Sequence, residues 1–427
     1  MKIFLDVIGC RLNQSEVETI ANNFRALGHE IVPEASLADL AIVNTCAVTV
    51  KAAADSRKQL RRAAREGAAR VVATGCWATL HPDDAVALPG VTDVVLNEGK
   101  DELVSDLLSL SADEVAELVL LREPLPGERA RTRAFIKVQE GCDNHCTYCL
   151  TRLARGKSHS RTLSAIRKDV RAALAGDAKE VVLTGVQLGA WGWDLTNPRK
   201  LSDLITDILD LDGVRRVRLS SIEPWDIDLE MLALWSDDRL CPHLHLPLQS
   251  GHDRVLQKMG RPITTETYAA LVDRVRQAVP DLALTTDVIA GFPGETEEEF
   301  QATKAFISRM GFAGGHVFTY SPRPGTAAVR MKGRVTPQVA KARNAELRKV
   351  FAESGRAYRQ EFIGRKMSVL WENSEQEGDE GWRLSGLTGN YMRVHARAEQ
   401  DLWNQISEVR LTSQRAKRPV LDGEIVR

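Results

Sequence analysis

The chain has 427 residues, of which 43% are hydrophobic and 27% charged, and its formal net charge is -1. That length predicts two or three domains, the composition excludes a disordered or low-complexity chain, and the near-neutral balance excludes a globally basic nucleic-acid binder, so any RNA surface must be local. The start Met1-Lys2-Ile3-Phe4-Leu5-Asp6 meets an acid too early for a signal peptide, and no apolar run is long enough for a bilayer, so a cytoplasmic protein with no membrane partner is expected.

The first hundred residues alternate short apolar runs with helical patterns: strands over 3–8, 40–43 and 70–73, helices over 17–27 and 52–64. This predicts an open parallel α/β domain over residues 1–110. Each of the three strands runs directly into a cysteine: Cys10, Cys46 and Cys76. Ligands of open α/β sheets gather at strand carboxyl ends, so the three thiols are expected to meet on one edge as a three-ligand cluster site. The alternative is three unrelated small residues in βα loops. The chain holds seven cysteines, an odd number better read as metal ligands and core residues than as a disulfide framework. Residues 111–131, with Pro124, Pro126 and Gly127, read as a connector.

From 132 to 355 the alternation resumes. Strands are expected over 135–138, 180–183, 214–220, 244–248, 283–290 and 315–319, with helices between them, which predicts a partial (β/α)6 barrel. Just after its first strand stand Cys142, Cys146 and Cys149, spaced C-x3-C-x2-C, with Tyr148 before the last. Three thiolates on one loop can hold three irons of a [4Fe-4S] cube and leave the fourth iron open to a small ligand. A zinc knuckle is the alternative, but zinc usually takes paired C-x2-C motifs and a fourth ligand. Cys241 reads as a buried small residue, His243 and His245 share one face of a strand, and Glu295, Glu297, Glu298 and Glu299 open a helix with no catalytic role.

Residues 356–427 carry short strand patterns over 367–371, 382–387, 392–394 and 406–411, predicting a small antiparallel β-barrel that binds RNA or serves as an inert appendage. The acidic run over 372–380 reads as a solvated loop. Candidate RNA contacts are Arg57, Lys58, Arg61, Arg62 and Arg65 on one helix, Arg323, Arg330, Lys332 and Arg334 before the β-domain, and Tyr391, Met392 and Arg393 within it.

The cysteine loop resembles the signature of radical S-adenosylmethionine (SAM) enzymes, in which the amino and carboxylate groups of SAM chelate the open iron and the aromatic, here Tyr148, lies beside the adenine. Further segments extend the likeness: Gly9-Cys10-Arg11-Leu12-Asn13-Gln14, Val43-Asn44-Thr45-Cys46-Ala47-Val48-Thr49, Ala154-Arg155-Gly156 with Ser160-Arg161, His245-Leu246-Pro247-Leu248-Gln249-Ser250-Gly251, and Asp287-Val288-Ile289-Ala290-Gly291-Phe292-Pro293-Gly294-Glu295-Thr296. Along essentially its whole length the chain resembles the methylthiotransferase family of radical SAM enzymes.

The resemblance implies two [4Fe-4S] clusters, SAM, and a C-terminal β-barrel of the RNA-binding TRAM type. It implies that Cys142, Cys146 and Cys149 hold the SAM-cleaving cluster, and that Cys10, Cys46 and Cys76 hold an auxiliary cluster carrying the sulfur to be inserted. In the family's chemistry one SAM methylates that sulfur, and a second gives a 5′-deoxyadenosyl radical that takes hydrogen from an unactivated C–H. No catalytic residue beyond the clusters is implied. The implied partners are tRNA, a sulfur donor, and an electron donor of flavodoxin or ferredoxin type.

Other positions follow from the same likeness. Many radical SAM enzymes end the second strand with a Gly-Gly-Glu that meets the cofactor's amino group; here Gly185 and Gln187 stand there without the acid. Ser220, Ser221 and Glu223 are expected at the ribose or substrate, and Gly291 and Phe292 in a tight turn near the cofactor. His245, Gln249, Arg155, Arg161, Tyr391 and Arg393 are expected toward the substrate. Family members act on the adenosine beside the tRNA anticodon, in its threonylcarbamoyl or isopentenyl form, or on a ribosomal-protein aspartate. The segments Gly9 to Gln14 and Thr184 to Gly192 look most like the threonylcarbamoyladenosine enzymes, and the Gln-Asn-Val-Asn run of the isopentenyl enzymes is missing. The expected function is insertion of a methylthio group at C2 of N6-threonylcarbamoyladenosine. The alternatives are the other two substrates, or a non-catalytic Fe–S protein that binds RNA.

Overall fold

The first alternation of apolar strands and amphipathic helices folds into a sheet covered on both faces. In the computed structural model, which describes residues 1–111, 114–115, 122–123, 132–378, 381–415 and 418–426, β1 (Lys2–Val7), β2 (Glu30–Val32), β3 (Leu40–Thr45), β4 (Arg70–Gly75) and β5 (Asp93–Val95) pair in parallel, in the order β2-β1-β3-β4-β5. Alternate residues of each strand face opposite sides. Ile3, Ile42 and Val72 therefore bury against Ile20 and Phe24 of α1 (Arg11–Ala26), while Val43, Val71 and Ala73 bury against Leu60 of α2 (Val50–Arg65). The three-residue strands β2 and β5 are too short to give a readable period, and the sequence reading omitted both.

The second region forms β6 (Arg133–Lys137), a two-residue antiparallel pair of β7 (Gln139–Glu140) with β8 (His159–Ser160), then β9 (Glu180–Thr184), β10 (Val217–Leu219), β11 (His243–His245), β12 (Ala283–Ala290) and β13 (Gly314–Thr319). Two parallel sheets, β6-β9-β10 and β11-β12-β13, are joined by the parallel bridges Val217 to Leu240 and Ser221 to His245. The result is the expected six-stranded arc, with its helices packed outside over one large apolar core. Helix α1 lies along β6, and the Ser15 hydroxyl accepts the Lys137 N–H at 2.9 Å. The N-terminal sheet thus sits beside the first barrel strand.

The helix Pro337–Gln360 packs on β12 and β13 and leads to β14 (Lys366–Gln376), β15 (Trp382–Thr388), β16 (Arg393–Ala398), β17 (Ile406–Gln414) and β18 (Val420–Ile425). These close into a barrel in the order β14-β15-β16-β18-β17 around Trp371, Val394, Leu411 and Leu421. Two expectations are corrected here. The acidic run is not a loop at its start: Glu372 to Gln376 continue β14, and Glu372 takes Arg133 and Arg393 at 2.6 Å each. The fifth strand, β18, was unread because Asp422, Gly423 and Glu424 break its apolar pattern. The expected connector over 111–131 lies largely outside the described residues.

Candidate active site

The carboxyl edge of the N-terminal sheet gathers three cysteines. Cys10 precedes α1, Cys46 follows β3, and Cys76 opens the short helix α3 (Cys76–Leu80). Two glycines make this approach possible. Gly9 has φ +112°, and a Cβ there would lie 2.7 Å from the Cys46 sulfur; Gly75 has φ +91°, and a Cβ would lie 2.4 Å from the Thr45 carbonyl oxygen. Ser56 of α2 accepts the Cys46 N–H at 2.9 Å and fixes that loop. Burial pushes the Cys46 thiol up to about 11, and the neighbouring Cys10 and Cys76 thiols add to the effect.

The second triad lies on the loop after β7. Thr147 anchors it, donating its N–H to Met259 O at 2.9 Å and its hydroxyl to Lys258 O at 2.8 Å. The Cys142 sulfur lies 3.5 Å from Gln187 Oε1, and the Arg261 guanidinium lies 4.0 Å from the Cys146 sulfur while pairing with Glu223 at 2.7 Å. Burial pushes Cys142 up to about 11, with Cys149 and Cys146 contributing as like-charged neighbours. Tyr148 packs edge-on against Phe292 at 6.4 Å, and Phe292 against Tyr320 at 5.5 Å.

Among the described residues no three His, Cys, Asp or Glu side chains converge tightly enough to chelate one metal ion. Two sets of three thiols, wider than a mononuclear site, suit a cluster in which each thiolate takes a different iron. Near the second triad, Thr184 Oγ1 and Ser220 Oγ are buried without a hydrogen-bond partner, and the Asp226 carboxylate is buried beside Gln187 and Glu223. Burial and the Glu223 carboxylate push Asp226 up to about 7. Buried polar groups are normally paired, so this set fits a polar ligand held over the loop.

Arg155 brings the triads together. Arg155 ends the helix Thr151–Arg155, which starts two residues after Cys149. Its guanidinium donates to the Cys76 sulfur at 3.3 Å, Glu16 at 2.7 Å, Glu140 at 2.6 Å and Asn13 Oδ1 at 2.6 Å. Glu16 also takes Lys100 at 2.8 Å, and Lys137 joins Glu140 at 2.9 Å to Asp101 at 2.6 Å. Burial would push the Glu16 carboxyl up, but Arg155 and Lys100 outweigh it and hold the group well below the usual carboxylate range. Arg323 donates to Ala47 O at 2.9 Å and also reaches Val48 O, which holds the loop after Cys46.

Gln187 lies against Cys142, Glu223 reaches Cys146 through Arg261, and Tyr148 of the loop packs on Phe292, while Gly185 and Ser220 stand just past the ends of β9 and β10. Gly185 is packed closely, since a Cβ would lie 3.0 Å from Gln139 Oε1. Ser221 is exposed, on the opposite side of the chain from Ser220. Gly291 has φ +76°, and its missing side chain admits Ala340, whose Cβ would be 2.6 Å away, rather than opening a face to a cofactor. His245 pairs with Asp287 at 3.3 Å and with Thr285 at 3.0 Å, and Gln249 holds a left-handed backbone at φ +71°.

Four expected substrate contacts have partners within the protein. Arg155 is enclosed in the ion network described above. Arg161 is tied to Asp169 at 2.5 Å, and Arg393 to Glu372. Tyr391 stacks on His243 at 4.7 Å and is surrounded by Arg11, Arg133 and Arg218, so its ring lies at the junction with the (β/α) barrel and not on an open RNA surface. Sequence reasoning missed Asn13, Asp226 and Arg261, and it singled out Arg323 only as an RNA contact, whereas the side chain holds the loop after Cys46. Of the three missed, only Asn13 stood in a singled-out segment; the other two meet the site through long-range packing that leaves no local pattern.

Comparison with known proteins agrees with this geometry. Residues 136–307 match the model of the radical SAM superfamily, and residues 2–97 match that of the uncharacterized protein family UPF0004. The chain is similar to the threonylcarbamoyladenosine tRNA methylthiotransferase MtaB of Bacillus subtilis, with 35% identity over 98% of this chain and 95% of that one. It is 38% identical to MtaB of Thermotoga maritima, over 91% and 90% of the two chains. The tRNA-2-methylthio-N(6)-dimethylallyladenosine synthase of Zymomonas mobilis is 34% identical over 88% of this chain and 87% of its own. Among solved structures, the radical SAM methyltransferase TsrM of Kitasatospora setae has a TM-score of 0.57 at 16% identity over 77% of each chain, a likeness of fold. These relatives match this chain over 87% to 95% of their own length at 34% to 38% identity: the chain belongs to the methylthiotransferase family of radical SAM enzymes.

Proposed function

We propose that this enzyme inserts a methylthio group at C2 of N6-threonylcarbamoyladenosine beside the anticodon of tRNA. The observation that carries the reading is the meeting of the two cysteine triads across Arg155. A sulfur-carrying site must stand next to a radical-generating site if a short-lived carbon radical is to be captured. When bound, two [4Fe-4S] clusters and SAM supply the radical and the sulfur. The chain's own residues hold and align these groups.

Cys142, Cys146 and Cys149 are the proposed ligands of the SAM-binding cluster, and Cys10, Cys46 and Cys76 those of the auxiliary cluster. Gln187 and Asp226 offer oxygens to an ammonium group in place of the absent Gly-Gly-Glu acid, Ser220 and Glu223 offer partners to ribose hydroxyls, and the Tyr148 ring, seated edge-on against the buried Phe292, offers an aromatic surface for adenine. Arg155 holds the helix that follows one triad against a ligand of the other. His245 and Gln249 lie further along the barrel as substrate contacts.

For tRNA, the exposed cations Lys58, Arg61 and Arg65 of α2, with Arg330, Lys332 and Arg334, offer phosphate contacts, whereas Arg57 covers the Trp77 ring at 5.7 Å and Arg62 pairs with Glu66. The C-terminal barrel is the proposed TRAM-type RNA module, with units over 1–110, 132–355 and 356–427. A flavodoxin or ferredoxin would supply electrons, and a separate donor the sulfur. The proposed place of work, on tRNA, is the cytoplasm; no described helix is long and apolar enough to cross a membrane.

The test is turnover by reconstituted enzyme on anticodon stem-loop RNAs bearing the threonylcarbamoyl or the isopentenyl group. Methylthio product on the first RNA alone is expected. Product on the second alone would transfer the assignment to the isopentenyl substrate.

A further inference from the structure

Arg11 stands directly after Cys10 and opens α1, the helix that lies along β6. From there its side chain reaches Tyr391, donating from Nη2 to the hydroxyl at 2.8 Å. Tyr391 stacks on His243, and His243 and His245 project from the same side of β11, each reaching the Thr285 hydroxyl at 3.2 and 3.0 Å. The opposite face of that strand, through Leu244, is part of the outer apolar core. The histidine face therefore looks into the barrel lumen, and Arg11 extends into that lumen from the side of the auxiliary triad.

The charges around Tyr391 do not balance locally at Arg11. Arg218 is matched by Glu180 at 2.6 Å, and Arg133 by Glu372 at 2.6 Å. Arg11 has no carboxylate partner among the described residues; its contacts are the Tyr391 hydroxyl and ring. A guanidinium carries five N–H donors and keeps its charge at any physiological pH, so a half-buried one with a single neutral hydrogen bond is a ready receptor for an anion. The site needs an anion of defined size: it must sit within one side-chain length of Cys10 and share the lumen with a nucleobase.

We propose that Arg11 reads the carboxylate of the threonylcarbamoyl substituent, so that this one side chain separates an anionic N6-modified adenosine from an apolar one. The inference rests on the substrate reading given above and adds to it the residue that makes the selection. A planar fork pairs with a carboxylate through two parallel N–H···O bonds. An isopentenyl group in the same place would leave the guanidinium unpaired and partly desolvated, which works against binding. Tyr391 then serves as the rest for the free guanidinium and holds it extended before the substrate arrives.

The test uses the reconstituted enzyme and two anticodon stem-loop RNAs, one with the free threonylcarbamoyl carboxylate and one with that carboxylate as its methyl ester. Binding by fluorescence anisotropy and methylthio product by mass spectrometry are measured for wild type, Arg11→Lys and Arg11→Gln, with iron per chain measured for each. Wild type should prefer acid over ester by about tenfold to a hundredfold, as expected for a charge-assisted pair. Arg11→Gln should bring the acid-to-ester ratio toward one, and Arg11→Lys should retain part of it. Equal losses on both RNAs, with the ratio unchanged, would overturn the proposal and assign Arg11 a structural role. If Arg11→Gln loses iron, the ratio in Arg11→Lys decides: an unchanged ratio overturns the proposal. If wild type binds the acid more tightly through Arg11 but turns over neither RNA, the substrate reading fails while the recognition by Arg11 stands.

Discussion

Arg155 shows how one side chain can join two sites. It is buried, contacts the Cys76 sulfur, and neutralises Glu16 and Glu140. Removing one member of a buried ion network strands the others, so Arg155→Gln should cost about 3–5 kcal/mol in denaturant unfolding. Arg155→Lys should recover part of that loss, because a single ammonium cannot reach all four partners. Cys46→Ala should act differently, lowering bound iron from roughly eight to roughly four atoms per chain while stability changes little, as measured by iron assay and unfolding side by side. The cysteines were legible in the sequence because spacing and strand ends alone single them out. The ion network of Arg155 is not legible there: its partner Glu16 stands 139 residues away, and no local period carries such a pair.

Elements matter here through their ends. Gly75 terminates β4 at φ +91° and packs against the Thr45 backbone, whereas Gly28 at φ +80° has nothing within 4 Å of a would-be Cβ. Gly28→Ala should therefore lose only the conformational cost of a left-handed residue, about 1 kcal/mol, while Gly75→Ala adds a steric clash and should lose more. Thermal unfolding of the two variants checks the order, and iron retention should fall only for Gly75→Ala. The long strands and helices were readable from period and length, including Ala283–Ala290 and Glu297–Met310. The short edge strands β2 and β5 were not, because they borrow their order from neighbours, and β18 hides behind the polar triplet Asp422 to Glu424. The placement of Tyr391 escaped the sequence for a similar reason: its left-handed backbone at φ +65° aims the ring away from its own β-barrel.

At the scale of the whole molecule, the C-terminal barrel is fastened beneath the larger one by charge. Arg218 pairs with Glu180 and donates to Gly389 O at 2.8 Å, and Arg216 donates to Ser368 O at 2.7 Å. Burial would push the Glu180 carboxyl up, but Arg218, then Arg133 and Arg216, outweigh it and hold the group at about 2 against an ordinary value of 4.5. A depressed carboxylate stabilises the fold fully above its unfolded value and loses that contribution as pH falls toward the folded value. The joint should thus be constant from neutrality down to about pH 5 and weaken between about pH 4.5 and 2, which acid unfolding of wild type against Glu180→Gln would reveal as a missing transition in the variant. The fold and the cluster cysteines could be read from the sequence because they are repeated or regularly spaced. The joint between the barrels could not, because it depends on single residues brought together only by the finished fold. The most direct measurement is mass spectrometry of tRNA nucleosides from cells with and without this protein. Loss of 2-methylthio-N6-threonylcarbamoyladenosine alone, with its unthiolated precursor accumulating, is the predicted result; an unchanged level of that nucleoside would contradict the proposed function.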